Sequence, residues 1–215
     1  MRRVAIYGGT FDPVHNGHVE VARQVLKLFE LDEVIFVPAC VPPHKRNANI
    51  TSTFHRFAML ALATETDRRL LVSTAELDAP ERPYAVDTVA RMKREGERLF
   101  FLIGSDSWAE IKTWYEWQRL LTMSDLIVVT RPGYEIDSHN GIDCIDVRGM
   151  ARDEVGDLPN REKTRPHVFV TDAAMVDVSA TTIRAVVQSG DRESLRAMAP
   201  PTVANYIEKY GLYKN

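Results

Sequence analysis

The eleven residues Gly8-Gly9-Thr10-Phe11-Asp12-Pro13-Val14-His15-Asn16-Gly17-His18 constrain this chain more than any other stretch, because they join an apolar run to a helical pattern. Val4-Ala5-Ile6-Tyr7 is too short for a helix and is bounded by glycines, which reads as a central strand of a parallel sheet. Beyond the histidines, Val19, Ala22, Val25, Leu26 and Phe29 recur at helical spacing. Strand, glycine turn and helix start in that order suit a nucleotide phosphate. Gly8 and Gly9 would let the backbone turn sharply and let a polyphosphate approach the amides of Thr10 and Phe11. The first helical turn, near His15 to His18, adds free N–H groups, the positive end of the helix dipole and two imidazoles as donors. A zinc site on the same histidine pair would need further Cys, His or carboxylate ligands, and the sequence holds no suitably spaced set.

Further apolar or β-branched runs occur at Glu33-Val34-Ile35-Phe36-Val37, Leu70-Leu71-Val72-Ser73, Leu99-Phe100-Phe101-Leu102-Ile103, Leu126-Ile127-Val128-Val129 and Val168-Phe169-Val170, most of them separated by helical patterns. That alternation predicts an α/β fold, a Rossmann-like parallel sheet with helices on both faces and ligands beyond the carboxyl ends of the strands. A length of 215 residues, 45% of them hydrophobic, suits one α/β domain over 1–215 with residues from about 180 onward as a C-terminal helical subregion. Helices are expected over Thr181 to Ser189 and Pro200 to Tyr210, and a polar surface loop over Arg148 to Pro166.

The net charge of −3 argues against a general nucleic-acid binder, so positive charge must be concentrated locally at the site. Cys40 and Cys144 show no pairing pattern, which suits reduced thiols in the cytoplasm. Arg2-Arg3 lead straight into the first strand without a signal-peptide pattern, and no segment is long and apolar enough for a membrane partner. The sequence leaves a homo-oligomer open.

Other candidates fall after the remaining strands. Pro42-Pro43-His44-Lys45-Arg46 is a stiff turn carrying cations, with Lys45 either neutralising a triphosphate or sitting on a solvated loop. Ile103-Gly104-Ser105-Asp106 ends the fourth strand of this series: Gly104 permits a close turn, and Asp106 either accepts hydrogen bonds from ribose hydroxyls or caps the next helix. Trp114, Tyr115 and Trp117 cluster beyond it; Trp117, at helical spacing with Leu120 and Leu121, reads as core, and Trp114 with Tyr115 as substrate-binding candidates. Tyr84-Ala85-Val86-Asp87-Thr88 opens another helix, where Asp87 and Thr88 either cap it or meet a ligand. Near the C-terminus, Ser179-Ala180-Thr181-Thr182-Ile183-Arg184 offers hydroxyls, helix-start amides and one arginine as a second phosphate grip, or a plain N-cap.

These segments resemble the nucleotidyltransferase superfamily, whose core is a His (or Thr)-x-Gly-His tetrad, here His15-Asn16-Gly17-His18. The longer Gly-Gly-Thr-Phe-Asp-Pro-x-His-x-Gly-His form is similar to that of the bacterial nicotinate mononucleotide adenylyltransferases. The likeness implies that Lys45 approaches the phosphates, that Gly104 and Asp106 lie against the adenosine half, and that Trp114 stacks on the nicotinate ring. It further implies that the Tyr84 to Thr88 segment meets the pyridine carboxylate and that Ser179, Thr181 and Arg184 form a phosphate grip. Ala85 and Ala180 stand where the family carries a threonine and a serine. A sibling, pantetheine-phosphate adenylyltransferase, usually opens its tetrad with threonine on a shorter chain, so His15, Trp114 and the length favour the pyridine nucleotide. A non-catalytic nucleotide sensor is the rival from another class, disfavoured by the retention of His15, His18, Lys45 and Arg184.

None of these elements supplies a nucleophile with an adjacent base. A phosphate monoester needs none, because its second pKa lies near 6 and it is mostly dianionic at neutral pH. The expected chemistry is therefore direct in-line adenylyl transfer from ATP to nicotinate mononucleotide, giving nicotinate adenine dinucleotide and pyrophosphate, with Mg²⁺ bridging the ATP phosphates. His18 is assigned to the α-phosphate and the transition state, and His15 to the triphosphate, with Lys45 and Arg184 sharing the charge.

Overall fold

The computed structural model describes residues 1–40, 50–79, 83–130, 141–161, 166–173 and 178–214. Lys45 lies outside them. Seven strands, β1 (Arg2–Gly9), β2 (Glu33–Pro38), β3 (Leu70–Val72), β4 (Glu97–Gly104), β5 (Asp125–Val129), β6 (Cys144–Asp146) and β7 (Val168–Thr171), form one sheet in the order β3-β2-β1-β4-β5-β7-β6. Every pairing is parallel. The helices among the described residues are α1 (Asn16–Leu28), α2 (Thr53–Thr64), α3 (Ala85–Met92), α4 (Ser105–Ala109), α5 (Trp117–Met123), α6 (Arg152–Arg161), α7 (Ala180–Ser189), α8 (Arg192–Met198) and α9 (Pro201–Tyr210).

Strand alternation divides the apolar residues between two faces. On one face Ala5, Phe100, Leu102 and Phe169 meet Val25 and Leu26 of α1, Met59 and Leu60 of α2, and Ile183, Leu195, Val203 and Ile207 of α7, α8 and α9. On the other, Val4, Ile6, Leu99, Phe101 and Ile103 meet Val86 and Val89 of α3, Trp108 of α4 and Leu120 of α5. Buried on both sides, the central strands read as continuous apolar runs, which is why they were legible as strands.

The sheet order reverses between β1 and β4, whose connections leave in opposite directions; such a switch point opens a crevice beyond the carboxyl ends of the two strands. Gly8–Gly9 and Gly104 stand at those ends.

Several expectations are corrected. The Arg148 to Pro166 segment is not all loop, since α6 occupies Arg152–Arg161. Val155 is fully buried, Glu154 accepts the Ala151 N–H at 3.1 Å, and the Gly156 carbonyl accepts from Arg3 at 2.7 Å, so tertiary contacts fix a helix whose polar composition concealed it. The short strand β6 and helix α8 were likewise unexpected; α8 is started by Asp191, whose carboxylate accepts the Ser194 N–H at 3.0 Å. Gly8 and Gly9 belong to β1 rather than to the turn, and the left-handed backbone falls on Phe11 at φ 50°. Trp117 is only half-buried, and the core tryptophan is Trp108 at 1% exposure.

Candidate active site

A cleft of about 720 Å³ opens at the carboxyl ends of β1 and β4. At Gly9, the last residue of β1, the ring of Phe11 leaves no room for a side chain: a Cβ there would stand 2.8 Å from Cζ of that ring. Phe11 in turn packs edge-on against Tyr7 at 5.3 Å and His18 at 5.0 Å, measured between ring centres. The glycine thus serves the aromatic packing that supports the histidine.

His15 caps α1 and His18 occupies its first turn. The two rings lie 3.7 Å apart between centres with a 31° tilt, and Nδ1 of His18 accepts the His15 backbone N–H at 3.3 Å. A neutral His18 must then carry its proton on Nε2. Although part of the His18 ring is open to the cleft, the dense surroundings pull its pKa well below the usual histidine value, and the adjacent His15 lowers it further. Of the charge expected from both imidazoles, His18 in the free protein supplies none; its contribution is a neutral N–H donor.

The amino end of α7 lines the same cleft. Ser179 is the N-cap, accepting the Thr182 N–H at 3.1 Å, so its hydroxyl has a structural task in addition to lining the cleft. Arg184 donates through Nη2 to Thr181 Oγ1 at 3.1 Å and through Nη1 to the Asp12 carbonyl at 2.7 Å. The second grip is thereby tied to the first loop by a cation that lines the same cleft. With α1 and α7 both starting at its edge, the cleft collects two positive helix ends.

Gly104 caps α4 with φ −82°, a conformation open to any residue, so no turn demands glycine there. A Cβ on it would meet nothing within 4 Å; the glycine instead keeps the cleft floor bare. Asp106 is not the cap but sits in the first turn of α4, exposed at the cleft.

Trp114, also lining the cleft, stands edge-on to Phe101 at 6.3 Å, and Tyr84 stacks on Tyr115 at 4.5 Å with a 31° tilt, both tyrosines exposed. Asp87 takes the capping role, its carboxylate accepting the Tyr84 N–H at 3.0 Å. Thr88 does not cap; buried, it donates to Glu76 Oε1 at 2.9 Å. Apart from Lys45, every site residue expected from the sequence lines this one cleft. Thr10 and Phe11 do so on the same loop.

Residues that sequence reasoning missed are Asp12, Arg56, Glu76 and Tyr213. Arg56, 1% exposed, donates to the carbonyls of Thr51 at 2.9 Å, Thr10 at 2.8 Å and Ala39 at 2.7 Å, pinning the loop after β1 to the end of β2. A lone arginine among the apolar positions of α2 was a visible signal. Glu76, whose carboxyl is pushed above the usual range by burial, also accepts the Cys40 N–H at 3.1 Å; nothing in its local sequence marks it. Among the described residues no group of three or more His, Cys, Asp or Glu side chains could hold a metal ion, and no helix is long and apolar enough to cross a membrane.

Residues 6–186 match the family model described as cytidylyltransferase-like. A nicotinate-nucleotide adenylyltransferase of Bacillus subtilis is 33% identical over 217 residues, covering 100% of both chains. A probable nicotinate-nucleotide adenylyltransferase of Thermoanaerobacter is 37% identical over 99% of this chain and 94% of that one. The solved structure of the Plasmodium falciparum nicotinic acid mononucleotide adenylyltransferase complexed with NaAD superposes with a TM-score of 0.74 at 20% identity, over 99% of this chain and 98% of that chain. This last likeness is one of fold: a parallel sheet with helices on both faces.

Proposed function

The chain belongs to the cytidylyltransferase-like family and, within it, to the nicotinate-nucleotide adenylyltransferases, and from that premise we propose that it joins ATP to nicotinate mononucleotide by direct in-line displacement. The phosphate of the mononucleotide attacks the α-phosphorus of ATP, the bond to the β-phosphate oxygen breaks, and nicotinate adenine dinucleotide and pyrophosphate leave. Neither product requires a proton to be removed from the attacking group.

The observation that carries this reading is that the His15–His18 pair, Arg184 tied to the Asp12 carbonyl of the same loop, and the aromatic residues Trp114, Tyr84 and Tyr115 all line one cleft. In the proposed mechanism His18 donates Nε2–H to the α-phosphate as charge moves toward the leaving group, a contact preorganised by its Nδ1 bond. His15 and Arg184 hold the triphosphate, together with the amides at the starts of α1 and α7. Lys45 is proposed to join them. Gly104 and Asp106 receive the adenosine, and Trp114 with Tyr84, Tyr115 and Thr88 the pyridine nucleotide. Mg²⁺ belongs here to the nucleotide substrate, carried on its phosphate oxygens. Preference for the acid over the amide form follows the names of the relatives.

The test is to supply the protein with MgATP and either nicotinate or nicotinamide mononucleotide, reading dinucleotide by chromatography and pyrophosphate by a coupled assay. Both products should appear, faster with the acid. No pyrophosphate from either mononucleotide would end the proposal.

A further inference from the structure

We propose that Tyr213, three residues beyond α9, is a positioning residue for the phosphate loop, acting through the buried carboxylate of Asp12. The inference deepens the reading above, and its kinetic arm rests on that reading. Asp12 lines the cleft and is only 6% exposed. Its Oδ1 accepts the Tyr213 hydroxyl at 2.7 Å, and its Oδ2 accepts the Thr51 N–H at 3.2 Å. Its own carbonyl accepts from Arg184 at 2.7 Å. The residue before it, Phe11, holds φ 50°, a region that costs an aromatic residue energy and persists only when the surroundings over-determine it.

The surroundings supply that determination from three distant parts of the chain. Arg56 holds the Thr10 carbonyl, Arg184 the Asp12 carbonyl, and Tyr213 the Asp12 carboxylate. Tyr213 is delivered by a chain reversal: Gly211 takes φ 61° after α9, and the Leu212 N–H returns to the Ile207 carbonyl at 3.1 Å. Leu212 and Tyr213 then pack against the core that carries α1 and α2. The geometry between Thr10 and His15 therefore depends on a side chain that reaches the cleft only through Asp12. Loss of its hydroxyl leaves a buried carboxylate short of one donor, and the loop relaxes toward another arrangement.

Tyr213→Phe keeps the ring and removes the hydroxyl. Amide hydrogen exchange over residues 8–18 should quicken about tenfold, with exchange in β4 unchanged, and kcat should fall about tenfold while KM for the mononucleotide stays within about twofold, as expected of a misplaced reacting group. In an Asp12→Ala background, which removes the acceptor of the Tyr213 hydroxyl, the same substitution should cost no further turnover, because the hydroxyl acts through that carboxylate. Exchange over 8–18 and kcat both within about twofold of wild type would overturn the proposal, as would quickening shared equally by β4 or a further tenfold loss in the Asp12→Ala background. The exchange arm needs no substrate, so it decides the latch even if wild-type protein makes no dinucleotide.

Discussion

The imidazole of His18 lies 3.7 Å from that of His15, and the backbone N–H of His15 occupies its Nδ1 at 3.3 Å. One ring is thus held by the other residue's main chain and stacked on its side chain, leaving Nε2 as the donor. If that donor meets charge that develops only in the transition state, His18→Ala should lower kcat by about a hundredfold or more. The thermal midpoint should change little, since the ring is open to the cleft on one side. Normal turnover in a folded His18→Ala protein would remove the assignment.

The same ring makes stability depend on pH. Its folded pKa lies well below 6.5, so the unfolded chain takes up a proton that the folded chain declines. The stabilising contribution is complete above the unfolded value of about 6.5 and is lost progressively as pH falls from there toward the folded pKa. Urea midpoints at pH 7.5, 6.5 and 5.5 should fall more steeply for wild type than for His18→Gln. Parallel slopes would contradict the depressed pKa.

Two glycines in the cleft should respond oppositely to alanine. At Gly9 a Cβ meets the Phe11 ring at 2.8 Å, and that ring is itself enclosed by Tyr7, Phe36 and His18, so Gly9→Ala should cost about 1–3 kcal/mol of stability. At Gly104 the space is open and φ is ordinary, so Gly104→Ala should melt like wild type yet raise KM for ATP, measured in the coupled assay. Equal thermal shifts in both would show that the distinction is wrong.

Arg56→Met should destabilise by about 3–5 kcal/mol, because it strands the carbonyls of Thr10, Thr51 and Ala39 that its guanidinium now satisfies. Denaturant unfolding reads the loss directly; a change under about 1 kcal/mol would mean that water replaces the guanidinium without cost.

Trp114→Ala should raise KM for the mononucleotide about fivefold while leaving KM for ATP within about twofold, the loss of one aromatic stacking partner being worth about 1 kcal/mol. A change confined to ATP would place the pyridine elsewhere.

Much of this was legible in sequence because it is written locally. The apolar runs of β1, β2, β4 and β5 are buried on both faces and need no partner to be recognised, and the start of α1 is marked by its periodicity after the histidines. The helix α6 was hidden because polar residues dominate it; among its described residues, the packing of Val155 and Leu158 against the core and the contact of its Gly156 carbonyl with Arg3 give it a reason to exist. Trp117 looked like core from spacing alone, whereas the register of α4 against the sheet gave that position to Trp108.

By itself the amino-acid order determined the sheet class, the helix that follows the glycines, and the chemical type of nearly every group at the cleft, since each depends on neighbours within about a dozen positions. What only the tertiary structure decided is how those groups are held and charged. His18 is neutral because aromatic rings from other turns enclose it, and Asp12 is fixed by Tyr213, 201 positions away in the chain. Desolvation and long-range hydrogen bonds arise from packing, and packing joins segments whose separation along the chain carries no local signal.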